Sequence, residues 1–113
     1  MSVPVLFVLL PNVLMLDLAG PAEVLRLAAQ AEDPAAVDFD LQYVSPVESL
    51  HSSIGLPLTG LAPLPQTLEP GTLVVLVGST MNVSKAHQKA FESASQQLTL
   101  WLQNVFAPSA ERL

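Results

Sequence analysis

Few side chains in this sequence are equipped for chemistry, and their positions narrow what it can do. The stretch LMLDLAGPAEVL, residues 14–25, sets one carboxylate, Asp17, inside an otherwise apolar run. Burying an ionised carboxylate costs several kcal/mol, roughly, unless something pairs with it, so the run predicts a partner for Asp17. Two roles fit the residues equally. Asp17 caps the turn leading to Pro21 by accepting from the backbone N–H of Ala19 or Gly20, or it is a pocket carboxyl available for acid–base work. Gly78-Ser79 directly follows a second apolar run. His51 precedes Ser52-Ser53 and is read as either a ligand contact or an ordinary loop histidine. Glu23, six residues beyond Asp17, is better read as a solvated helix residue favoured by the helix dipole than as half of a catalytic pair. His87 is expected on a helix surface. Two separated histidines without a cysteine show no metal-ligand spacing, so neither a metal nor a cofactor is expected. Asn82-Val83-Ser84 has the form of a glycosylation sequon but reads as a helix cap. No glycine-rich phosphate loop is present.

The bulk composition limits what such residues can serve. A chain of 113 residues is one domain at most, and it buries roughly two-thirds of its unfolded surface if it folds alone. It is 50% hydrophobic and only 12% charged, with a mean hydropathy of +0.48, against about 25% charged residues in ordinary domains. That balance points to strands buried on both faces, with neighbours this chain lacks, and predicts a tendency to aggregate. Four Lys+Arg against ten Asp+Glu give a net charge of −6. Such a chain repels phosphate and is not itself a nucleic-acid binder. The absence of cysteine excludes a disulfide framework, a thiolate zinc site and a thiol nucleophile within these residues. The apolar N-terminus is a poor signal peptide: no Lys or Arg precedes it, Pro4 and Pro11 interrupt it, and Asp17 and Glu23 precede the only cleavage-like site. It is also short of the roughly 20 apolar residues of a membrane span. A cytoplasmic protein without a membrane anchor is expected.

The elements that must position these residues follow from patterning. Val5–Leu10 is continuously apolar, as in a central strand of a parallel sheet. Pro21 to about Ala31 reads as a helix with proline at its first position, with Val24, Leu25, Ala28 and Ala29 on one face and Glu32-Asp33-Pro34 closing it. Phe39–Val44 alternates, as a more peripheral strand does. Leu50–Leu58 suits a short hairpin, and Thr72–Val77 is a second apolar strand. Ser84–Phe106 is predicted helical, with Ala90, Ala94, Leu98, Trp101 and Val105 in one stripe, a break near Ser93–Ser95 and a stop at Pro108. The segment SAERL, 109–113, then leads toward a further strand. This order predicts an α/β fold with a parallel sheet, whose ligands sit beyond the carboxyl ends of the strands. Asp17 and Gly78-Ser79 both follow such ends.

Three stretches in order, VLFVLLPNVLMLDLAGPAEVLRLA, LHSSIGLPLTG and TLVVLVGS, resemble the opening of the ThiJ/PfpI-like, glutamine-amidotransferase-like domain. The version most similar stands at the N-terminus of AraC-type transcriptional regulators of the GlxA kind, with isonitrile hydratases as the second choice. The resemblance covers the whole chain, and D-L-A-G-P-x-E-V is its most specific part. It implies a flavodoxin-like three-layer sandwich with a mainly parallel sheet, of which residues 1–113 are the N-terminal portion. The nucleophile-elbow half and any C-terminal helix-turn-helix domain lie outside these residues. It also implies an effector-sensing, small-molecule-binding function in a bacterial homodimer that touches DNA only through that absent domain. In family members the acidic residue matching Asp17 lies beside the elbow thiol, which favours the pocket role. The ligand-binding residues so implied are Asp17, Gly78, Ser79, Ser53 and His51. The alternative is the N-terminal part of an isonitrile-hydratase-like or amidase-like cysteine enzyme, in which Asp17 assists catalysis. Family enzymes have Gly-Gly where this chain has Gly78-Ser79, and serine tolerates left-handed backbone poorly, which weakens the enzyme alternative.

Overall fold

The computed structural model describes residues 2–30 and 37–110. Strand β1 (Ser2–Val8) leads through helix α1 (Met15–Ala29) to β2 (Asp38–Val44). A short hairpin of β3 (Leu50–His51) and β4 (Pro57–Leu58) follows, then β5 (Leu73–Leu76) and α2 (Lys85–Trp101). A π-helical turn, Leu102–Phe106, joins α2 to the short helix α3 (Ala107–Ala110). The result is a mixed α/β fold with a three-stranded parallel sheet in the order β2-β1-β5.

Placing β1 in the centre explains its unbroken apolar sequence. Val5, Phe7 and Leu9 pack with Leu18 and with Met15, Ala22 and Leu25 of α1. Leu6, Val8 and Leu10 point the other way, to Ala94, Leu98 and Trp101 of α2. One helix covers each face, the arrangement parallel sheets require because their crossovers run over both sides. Each such buried side chain contributes about 1.5–3 kcal/mol, so β1 is the chief source of stability. Trp101 is a core residue whose Nε1–H donates to the Pro65 carbonyl at 2.6 Å. β5 pairs with no further strand among the described residues, and Leu73 and Leu76 on it remain 49% and 52% exposed.

Three expectations are corrected. Helix α1 begins at Met15 rather than Pro21, and Pro21 lies inside it. The missing Pro21 N–H removes one helical bond, but the longer helix carries Met15 and Leu18 to the sheet. The inward face is therefore Met15, Leu18, Ala22 and Leu25, while Val24 is 64% exposed. Second, α2 runs unbroken through Ser93–Ser95, and the irregularity falls instead at Leu102–Phe106. Third, Pro108 does not end the helix but lies within α3. The Ala107 N–H donates back to Leu102, a five-residue step, and this wider turn relieves the carbonyl that a proline would otherwise crowd. In the expected stripe Ala90 is exposed and Phe91 packs against the core in its place. Ser84 caps α2 as expected, its Oγ accepting from the His87 N–H. The hairpin has the register Leu50 opposite Leu58 and His51 opposite Pro57. The segment Glu32-Asp33-Pro34 and the last three residues of SAERL lie outside the described residues. Among the described residues no helix is long and apolar enough to cross a membrane.

Candidate functional site

At the carboxyl end of β1 the chain passes through Pro11 into Asn12, a buried residue with φ of 68°. Asparagine adopts this left-handed region more readily than other side chains do, and the reversal sends residues 12–14 between two other segments. On one side the Asn12 N–H donates to the His51 carbonyl at 2.8 Å and the Ser53 N–H to the Val13 carbonyl at 2.8 Å. On the other, Leu14 N–H donates to the Gly78 carbonyl at 2.8 Å and Thr80 N–H to the Asn12 carbonyl at 3.0 Å. Residues 12–14 thus tie the hairpin to the end of β5. Val13 at the centre is completely buried.

Asp17 occupies the first turn of α1 and is exposed. The expectation of a buried carboxylate is corrected: helical spacing turns Met15 and Leu18 inward and Leu16 and Asp17 outward. No side-chain hydrogen bond caps α1, so the capping role is not realised either. Its position near the helix N-terminus suits its charge. Its carboxylate lies over Gly78: a β-carbon at residue 78 would stand 2.7 Å from Asp17 Oδ2 and 3.5 Å from Leu14 Cδ1. A side chain at 78 would require the Asp17 carboxylate to shift, and no backbone conformation demands glycine here, because neither Gly78 nor Ser79 has a positive φ. The serine is therefore unstrained, but the pair does not take the left-handed backbone that Gly-Gly allows, so the enzyme alternative stays weakened. Ser79 Oγ is sealed from solvent and has no hydrogen-bond partner among the described residues, a state that costs about 1–3 kcal/mol.

A second locus forms on the other side of residues 12–14. A cleft of about 280 Å³ is lined by Asn12, His51, Ser52, Ser53, Val83 and His87, among others. The His51 and His87 rings stand 6.4 Å apart between centroids, tilted by 45°. The Asn12 Nδ2 donates to the His87 carbonyl at 3.2 Å, fixing the start of α2 against the β1 loop. Ser52 Oγ is occupied by the N–H groups of Ile54 and Leu56, at 3.3 and 3.1 Å.

The five residues expected in one pocket thus form two groups. Asp17, Gly78 and Ser79 belong to the first locus, and His51 and Ser53 to the cleft. Asn12 and His87 were not singled out by sequence as site residues. The Pro-Asn step hinted at the reversal, but nothing local could show that a residue 36 positions from His51 packs beside it. Glu23 stays on the surface, where Arg26 Nη2 meets its carboxylate at 2.8 Å. It borders a separate apolar cleft of about 380 Å³ between α1 and the hairpin. No protein-family model, curated protein or solved structure matches this chain.

Proposed function

We propose that this chain is the first part of a flavodoxin-like sandwich serving as the effector-sensing domain of a bacterial AraC-type regulator of the GlxA kind. The observation that carries the reading is the contact of the Asp17 carboxylate with Gly78. It lies just beyond the carboxyl ends of parallel strands, where open α/β sheets take their ligands. The ligand class that suits an exposed carboxylate beside a bare glycine backbone is an amine or amino-acid derivative, its ammonium group pairing with Asp17. Ser79 adjoins that position in the chain, its Oγ buried and without a partner among the described residues. In this reading the protein is cytoplasmic and homodimeric, and ligand binding shifts the population between dimer arrangements. DNA contacts belong to helix-turn-helix units outside these 113 residues. The isonitrile-hydratase-like or amidase-like enzyme remains the second reading, and its thiol must come from outside this cysteine-free chain.

The test is a thermal-shift screen of the chain with amines, amino acids and their amides, repeated with Asp17→Asn. A ligand present at 100 times its Kd adds about 2.7 kcal/mol, a shift easily read. The expected result is a hit whose binding weakens at least about ten-fold in the variant, the equivalent of about 1.4 kcal/mol. A panel without a hit, or a hit indifferent to the substitution, overturns the reading.

A further inference from the structure

We propose that His51, His87 and Asn12 form a binding site for a single divalent transition-metal ion of the kind that favours imidazole, zinc or nickel. This site is separate from the Asp17 locus, and its success or failure is independent of the effector reading.

Three observations converge on the cleft. First, the only two histidines of the chain are brought from a hairpin and a helix to a centroid separation of 6.4 Å. With Zn–N bonds of about 2.0–2.1 Å, two imidazoles on one tetrahedral ion stand roughly 5 Å apart. Both histidines are exposed, so rotation about their side-chain torsions closes the difference. Second, Asn12 supplies an oxygen. It is only 4% exposed, and its Nδ2 is committed to the His87 carbonyl, which fixes the orientation of the amide. With Nδ2 so engaged, Oδ1 is the group of this amide left to bind a cation. Third, the cleft of about 280 Å³ has no lysine or arginine in its lining.

The chemistry of this set selects the ligand. Two imidazole nitrogens and one amide oxygen offer lone pairs to a cation, and such mixed nitrogen and oxygen donors suit first-row transition metals. An anion would find no fixed positive side chain there, and the net charge of −6 repels it at long range. Water completes the coordination shell, since no group of three or more His, Cys, Asp or Glu side chains gathers among the described residues. Asn12 sets the spacing as well, because its bond to His87 holds the helix start against the loop that donates its own N–H to His51.

The test uses the untagged chain, titrated with zinc chloride by calorimetry and followed by proton NMR of the two imidazoles. The expected result is one equivalent of zinc bound, with the signals of both histidines moving together. His51→Ala and His87→Ala are each expected to weaken binding at least ten-fold. Asn12→Gly, which keeps the left-handed backbone accessible, is expected to weaken it several-fold, with circular dichroism confirming that the variants are folded. Zinc that perturbs only one imidazole, or binds the double histidine variant as well as the parent, overturns the proposal. So does an absence of zinc binding, or inorganic phosphate moving both signals where zinc moves neither.

Discussion

Adding a single methyl group at residue 78 probes the contact on which the functional reading rests. In Gly78→Ala the new β-carbon meets Asp17 Oδ2 at 2.7 Å, well short of the 3.4 Å at which contact becomes ordinary. The carboxylate ends a short, exposed side chain, so it swings aside, and an off-rotamer torsion costs about 0.5–1.5 kcal/mol. Opposing this, alanine at a position without positive φ lowers the entropy of the unfolded chain and contributes about 0.4–1 kcal/mol. The two effects nearly cancel, so the single variant is expected within about 1 kcal/mol of the parent. The informative experiment is the double-mutant cycle with Asp17→Ala. Once the carboxylate is gone, only the favourable term remains, and Gly78→Ala becomes stabilising by about 0.4–1 kcal/mol. The expected coupling is therefore about 0.5–1.5 kcal/mol, read from urea unfolding midpoints at constant slope. Additivity within about 0.3 kcal/mol would refute the contact and with it the geometry offered for the effector site.

Two further perturbations test the frame that holds the loci. Trp101→Phe keeps the ring in the α2 core but deletes the donor to the Pro65 carbonyl, and a loss of about 1–3 kcal/mol is expected in chemical denaturation; an unchanged midpoint would show the bond to be worthless. Leu76→Lys places a charge on the half-exposed outer strand β5, the device natural sheets use against edge-to-edge pairing. Lower light scattering at equal concentration is expected with the helical and strand signal unchanged, and unaltered aggregation would locate the association elsewhere.

Much of the scaffold was legible in the sequence because its signals are local. VLFVLL has no alternation, and a strand of that kind must be covered on both sides; that alone put β1 at the centre of a parallel sheet. The alternation of FDLQYV and the spacing of Ala94, Leu98 and Trp101 similarly report which faces meet the core. Tertiary packing decided the rest. Pro21 is a strong local start signal, yet the gain from burying Leu18 extends α1 back past it to Met15, which in turn moves Asp17 from a buried turn to the helix surface. Gly78 looked like part of a backbone-donor motif, and the fold brings over it a carboxylate from 61 positions away in the chain. His51 and His87 seemed unrelated because no periodicity spans a hairpin and a helix. Only the reversal at Asn12, which draws both segments to the end of β1, makes them neighbours. Hydrophobic pattern is written residue by residue and so determined the layers, whereas close approach depends on how those layers dock and exists only once the chain has folded.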